Sequence, residues 1–270
     1  MNWRSTLKTE IKTDKPLNIV YIPDMQQKPG VDPSFLRAVG NYIVAKKPDI
    51  IVNAGDFWDM PSLSSYDKGK KASHGRTVLA DIEAGKQAMQ IMLDPLYELQ
   101  TRQAQNKKKV YQPRMLYLMG NHEERILRHI ESNPELDGFL SLDDLQLESY
   151  GWEVVPFLDT ASINGVLFSH FFYNPMTGRP FSGSIENRLN KIKCSFVQGH
   201  VQGLQIGTTF RPDGSQLWGI VAGSGYEHEE GYIGPQANDH WRGILHFYNV
   251  LDGDMGHKTI ALKWLRDNYL

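Results

Sequence analysis

Five short apolar runs in this chain each stop at a proline, glycine or serine and hand over to an acid, an amide or a histidine. Leu17–Ile22 ends at Pro23-Asp24, Asp49–Asn53 at Gly55-Asp56, and Met115–Met119 at Gly120-Asn121-His122-Glu123. Downstream, Val166–Ser169 leads into His170, and Ser195–Gln198 leads through Gly199 into His200. Runs this short, bounded by turn residues, predict buried strands rather than helices. Open α/β sheets bind ligands beyond the carboxyl ends of their strands, so the pattern predicts a fold class and the place of its chemistry together.

Between the first two runs, Asp32-Pro33 predicts a helix N-cap followed by proline at N1, with Phe35, Leu36, Val39 and Ile43 at helical spacing up to Lys46-Lys47-Pro48. A strand, helix and strand with short connections predict a parallel crossover. Val78, Ile82, Met89, Met92, Leu96 and Leu99 predict a long helix over Thr77 to Gln105, kinked or split at Pro95 and ended by the solvated Lys107–Lys109. The final third reads as antiparallel sheet: strands Leu204–Phe210, Gln216–Val221, Gly243–Val250 and Lys258–Leu265, joined by Pro-Asp-Gly and Asp-Gly turns. No linker, repeat or low-complexity run divides the chain, so residues 1–270 are expected to form one domain in which parallel and antiparallel strands share a core.

Composition narrows the function. With 40% hydrophobic residues and a net charge of −2, the chain has a globular balance, and long-tract electrostatic binding of nucleic acid is disfavoured. No window is apolar enough for a membrane span, and Met1–Lys15 is a polar leader without the apolar core of a signal peptide; a cytoplasmic protein without a membrane partner is expected. Cys194 is the only cysteine, which leaves any metal to His, Asp, Asn or Gln.

The residues at the strand ends form such a ligand inventory: Asp24, Gln26, Asp56, Asp59, Asn121, His122, His170, His200 and Gln202. Carboxylates and carboxamides suit hard divalent ions and imidazoles suit borderline ones, and a shared carboxylate holds two ions about 3.5–4 Å apart. The His-Glu-x-x-His pattern of zinc proteases fails at Ile126, and there is no Gly-x-x-x-x-Gly-Lys loop.

The ordered blocks Asp24-Met25-Gln26, Gly55-Asp56-Phe57-Trp58-Asp59, Gly120-Asn121-His122-Glu123, Ser169-His170 and Gly199-His200-Val201-Gln202 resemble the signature of the calcineurin-like metallophosphoesterases. Gly120–Ile130 is similar to stand-alone members from bacteria and their phages, for which the compartment would be the host cytoplasm. The resemblance implies an α/β fold, a four-layer αββα sandwich of two mixed sheets flanked by helices. It also implies two divalent metal ions bridged by Asp56, with Asn121, His170 and His200 completing one shell and Asp24, Gln26 and Gln202 the other. His122, oriented by Asp59, would protonate the leaving oxygen after attack by a bridging hydroxide. The family has His where this chain has Gln26 and Gln202, so that shell is all oxygen and favours Mn²⁺ or Mg²⁺, while the His-containing site also suits Zn²⁺ or Fe²⁺. The expected substrate is a phosphodiester in a nucleotide or nucleic acid, since Met60 stands where the Ser/Thr protein phosphatases carry arginine. A phosphomonoesterase and a catalytically silent binding module are the alternatives.

Lys68, Lys70, Lys71, His74 and Arg76 sit in a loop near the second block, and His74 and Arg76 are expected to reach substrate phosphate, alongside Asn121 and Arg125. Arg125, one turn past Asn121, alternatively pairs with a carboxylate. Tyr226–Glu230 and Asp239–Arg242 read as turns packed on the sheet or as a cap over the pocket.

Overall fold

Alternation along strand β2 (Leu17–Ile22) sends Ile19 and Tyr21 into one core and Val20 and Ile22 into another. A strand that is apolar on both faces must be covered on both, and that requirement organises the layers. The computed structural model describes residues 7–65, 69–229 and 240–270.

One six-stranded sheet runs in the order β1 (Leu7–Ile11), β6 (Thr160–Ile163), β7 (Val166–Ser169), β8 (Phe196–Gln198), β10 (Gln216–Ala222) and β9 (Leu204–Phe210). The other runs β12 (Asp254–Ala261), β11 (Gly243–Leu251), β2, β3 (Ile50–Asn53), β4 (Arg114–Leu118) and β5 (Glu153–Val155). Both are mixed: β2 to β5 are mutually parallel, β7 and β8 are parallel, and β9, β11 and β12 pair antiparallel with their neighbours. Tyr21, Val52 and Leu118 of one sheet meet Phe168, Val197 and Ile220 of the other in the core between them. Helices α1 (Leu36–Lys46), α2 (Val78–Gln105) and α5 (Leu262–Tyr269) cover the far face of the β2–β4 sheet, and α4 (Ile185–Ile192) covers the far face of the other. The fold is α/β, a sandwich of two mixed sheets flanked by helices. Among the described residues, no helix is long and apolar enough to cross a membrane.

Several expectations are corrected. Asp32 does not cap α1: it accepts from the Ser34 N–H at 2.9 Å, and a tight turn from Pro33 delays the helix to Leu36. Pro95 lies within a single helix, α2, rather than between two. The antiparallel third is not one sheet, because β9 and β10 join the first sheet while β11 and β12 join the second. The strand expected over 258–265 stops at Ala261, where Leu262 and Leu265 turn onto the α1 side as a helix. The polar leader contains β1, an edge strand parallel to β6; Met1–Thr6 lie outside the described residues.

Helix α2 anchors the loop after β3. The Trp58 side chain is fully buried and its Nε1–H donates to the Ile82 carbonyl at 3.1 Å. A Cβ on Gly85 would lie 1.9 Å from that nitrogen, so the indole occupies the space the glycine leaves. Gly85→Ala gains about 1 kcal/mol of helix propensity yet is expected to lose about 1–3 kcal/mol net through the clash, measured by denaturant unfolding. A variant more stable than wild type would refute this packing.

Candidate metal centre

The parallel strands β2, β3 and β4 release their chains side by side, and β7 and β8 do the same from the facing sheet. The first two exits are stitched together: Gln26 N–H donates to the Asp56 carbonyl at 2.9 Å, Gln27 N–H to the Phe57 carbonyl at 2.7 Å, and Asp59 N–H to the Gln27 carbonyl at 2.9 Å. Gln26, Asp56 and His200 have φ of 44°, 49° and 65°, left-handed values that cost a non-glycine residue of order 1–3 kcal/mol. Three of the expected ligands are therefore held in strained backbone by their surroundings.

Asp56 is the hub. Its Oδ2 lies 3.4 Å from His170 Nε2 and 3.6 Å from His122 Nε2, and its Oδ1 accepts the His122 backbone N–H at 2.8 Å. A Cβ on Gly120 would fall 2.1 Å from that Oδ1, so only glycine lets the β4 exit pass so close. His170 Nδ1 donates to the Ala54 carbonyl at 2.7 Å, which turns Nε2 toward Asp56 and the Asn121 Oδ1, 3.0 Å away. The His170 and His200 rings are 5.2 Å apart. Asp56, His170 and His200 each offer a ligand atom within 4.8 Å of the others, a group able to hold a metal ion.

The expected second shell is looser. Asp24 Oδ1 accepts the His200 N–H at 3.1 Å, while Asp24 Oδ2 and Gln26 Oε1 are buried without a hydrogen-bond partner among the described residues. Gln202 Oε1 is engaged by the Tyr226 hydroxyl, so any metal would have to take its second lone pair.

Electrostatics divides these groups. Burial opposes the Asp56 charge, but His122 and His170 outweigh it and hold the carboxyl well below the usual range. Burial and the neighbouring Asp56 push Asp24 up to about 7. His170 resists burial through Asp56 and rises to about 9, whereas burial and His170 push His200 down to about 4. Two carboxylates, a carboxamide oxygen and an imidazole nitrogen thus converge where the His170 proton supplies the positive charge. A divalent cation fits the same place, and the unpartnered oxygens of Asp24 and Gln26 are acceptors of the kind it needs.

His122 lies beside this group, its Nε2 3.6 Å from Asp56 Oδ2. Its Nδ1 lies 2.8 Å from the Asp59 carbonyl and 3.0 Å from Asp59 Oδ1. Burial lowers its proton affinity, but Asp56 and the Asp59 hydrogen bond raise it further, and the net shift is upward. Arg125 is tied to the same loop: Nη1 donates to the Asp59 carbonyl at 2.7 Å and Nη2 stands 3.0 Å from His122 Nε2. With Nδ1 donating to Asp59, Nε2 is the acceptor. Arg76 Nη1 donates to the Pro61 carbonyl at 3.2 Å and its charge acts on Asp81, and His74 is exposed. Lys68, Glu230 and Asp239 lie outside the described residues.

Two residues escaped the sequence reading. Lys28 Nζ pairs with Asp59 Oδ2 at 2.9 Å, and nothing in its polar loop signals this. Glu123 is fully buried and accepts four hydrogen bonds: from the N–H groups of Asp56 (2.9 Å), Trp58 (3.1 Å) and Gly120 (3.1 Å), and from the Tyr117 hydroxyl (2.8 Å). Its place beside His122 in the third block was the available signal.

No protein-family model matches this chain. It is similar to the Gene 54 protein of Mycobacterium phage L5, with 30% identity over 143 residues, which is 51% of this chain and 50% of that protein. The chain thus matches over about half the length of this curated relative.

Glu123→Gln turns two of its acceptor positions into an NH₂ facing donors. Thermal unfolding is expected to register a loss of about 1–3 kcal/mol, and metal titration a weaker site at Asp56. Unchanged values for both would remove Glu123 from this role.

Proposed function

We propose that this chain is a metal-dependent phosphoesterase of the calcineurin-like kind, acting on a phosphodiester in a nucleotide or nucleic acid. The observation that carries the reading is the convergence of Asp56, His170 and His200 at the ends of strands from both sheets, with Asp24 and Gln26 oxygens unpartnered beside them. Two divalent ions, Mn²⁺ by preference, would be held by Asp56, Asn121, His170 and His200 on one side and by Asp24, Gln26, Gln202 and Asp56 on the other. When bound, such ions lower the pKa of water and neutralise phosphoryl oxygens.

The chain's own residues supply the rest. Asn121, His200 and Gln202 are partly exposed, which gives a substrate access from that side. Arg125 binds a phosphoryl oxygen through Nη2, and in doing so leaves His122 Nε2. His122, held through Nδ1 by Asp59, then takes up a proton from solvent at the freed Nε2 and passes it to the leaving oxygen. Lys28 fixes Asp59. Lys28 and Arg125, two cations near the cluster, both contact Asp59, which offsets part of their charge and suits a singly charged diester better than a monoester. The replacement of two imidazoles by Gln26 and Gln202, with Gln202 drawn to Tyr226, favours a catalytically silent module as the second reading.

Hydrolysis of an aryl phosphodiester and the matching monoester, with Mn²⁺ or EDTA, tests the proposal. Diester cleavage that needs Mn²⁺ and disappears in Asp56→Asn is expected. His122→Asn should keep its metal and turn over about 10²–10⁴-fold more slowly. Monoester preference would overturn the substrate assignment, and silence on both with metal bound would favour the binding module. Calorimetric Mn²⁺ titration should resolve two affinities, of which Gln26→Ala weakens one; equal affinities, or none changed, would refute the asymmetry.

A further inference from the structure

Helix α4 carries a charged residue at a position its spacing reserves for the core. Ile185, Arg188, Leu189 and Ile192 are its buried face, and three of the four are aliphatic residues packed on Phe196 and Leu217 of the sheet below. Arg188 is only 4% exposed, and its Nε and Nη1 have no hydrogen-bond partner among the described residues. None of the described ion pairs involves it.

The strand beneath carries a matching anomaly. Phe196 faces α4 and Val197 faces the opposite sheet, so alternation returns Gln198 to the α4 side. The register agrees, since Val221, opposite Gln198, also packs into the α4 core. Gln198 is fully buried, and neither its Oε1 nor its Nε2 has a partner among the described residues. Its strand neighbours leave it unsatisfied: Val221 is apolar, and the Ser169 hydroxyl is engaged by the carbonyls of Asp159 and Phe171, each at 3.1 Å. A buried guanidinium and a buried carboxamide on the same side of one sheet, each with polar atoms unsatisfied among the described residues, are costly unless something completes them.

We propose that Arg188 and Gln198 form an oxyanion subsite next to the metal centre, built to take a phosphate group. The guanidinium fork matches two oxygens of a tetrahedral oxyanion, and the Gln198 NH₂ supplies a further donor. Only Gly199 separates Gln198 from His200, so an anion held here lies beside the metal ligands rather than at a remote surface. The charge of Arg188 is among the influences that lower His200, which agrees with this proximity. The occupant is a phosphate group, either a second phosphate of the substrate or a free phosphate ion. The substrate alternative rests on the phosphoesterase reading; phosphate binding as such does not.

Inorganic phosphate titrated calorimetrically into the full chain, with EDTA and separately with Mn²⁺, tests this. A phosphate site that survives EDTA is expected, weakened about tenfold or more in Arg188→Met and by less in Gln198→Leu, with Mn²⁺ binding unchanged. If Arg188→Met does not fold, Arg188→Lys keeps the charge without the fork and should still weaken phosphate binding. No phosphate bound in EDTA, or equal affinity in wild type and the variants, would overturn the proposal. A second phosphate on an aryl diester should lower KM in wild type but not in Arg188→Lys if the subsite serves substrate. If it serves the free ion, inorganic phosphate should alter turnover of the plain diester in wild type only. A chain that hydrolyses neither ester would sink the phosphoesterase reading while the titration in EDTA still decides the subsite.

Discussion

The site depends on one buried carboxylate. Glu123 is sealed from solvent, yet it joins the exit of β3, through Asp56 and Trp58, to the exit of β4, through Gly120 and Tyr117. A buried carboxylate with four donors aimed at it is satisfied, whereas its loss would leave three backbone N–H groups orphaned in the core. Through Trp58 the same group is linked to Gly85 and α2, so the helical layer and the strand exits are positioned together. The left-handed conformation of Asp56 persists because its N–H is held at one end and its side chain at the other.

Holding Asp56 in this way creates an electrostatic problem that the surrounding residues answer. Asp24 and Asp56 are both buried, but burial and the Asp56 charge hold the Asp24 carboxyl high, whereas His122 and His170 overcome burial and hold Asp56 low. His170 answers with a proton, and His200, crowded by that proton, stays neutral with a lone pair available. One ligand group is thus assembled before any cation arrives. The Asp24 and Gln26 side has free oxygens but no imidazole, so on the proposed reading it gains its ion later and holds it less firmly.

The five strand exits were legible because each pairs a short apolar run with a turn residue, a signal that depends on local chain chemistry alone. Edge elements were not. β1 leaves Glu10 exposed while it buries Ile11, and its LKTEI sequence reads as a polar segment, and α5 follows β12 without a glycine or proline to mark the change. In the site, described contacts link Asp24, Asp56, Asn121, His122, His170 and His200, whereas His74 and Arg76 were chosen for charge and nearness in sequence alone, and a described bond ties Arg76 to the Pro61 carbonyl. Lys28 was illegible because its role exists only once Asp59 is brought back over it. Arg188 was legible in principle: an arginine at i+3 on an otherwise aliphatic helix face is a break in pattern that asks for a partner.

The Arg125 guanidinium binds the two functions of this site into one exchange. Hydrogen bonds to Asp59 and to His122 Nε2 keep the imidazole in the tautomer whose only ring proton points away from the metal group. A phosphoryl oxygen competes for Nη2, and its negative charge is the stronger acceptor. On the proposed reading, binding of an anion frees Nε2 to take up a proton, while Asp59, itself held by Lys28, keeps the ring in place. On the proposed reading Arg125 covers Nε2 in the free protein, so the ring gains the proton it needs as an acid only after an anion has displaced the guanidinium, and the same three contacts would give a silent binding module a means to sense that its anion has arrived.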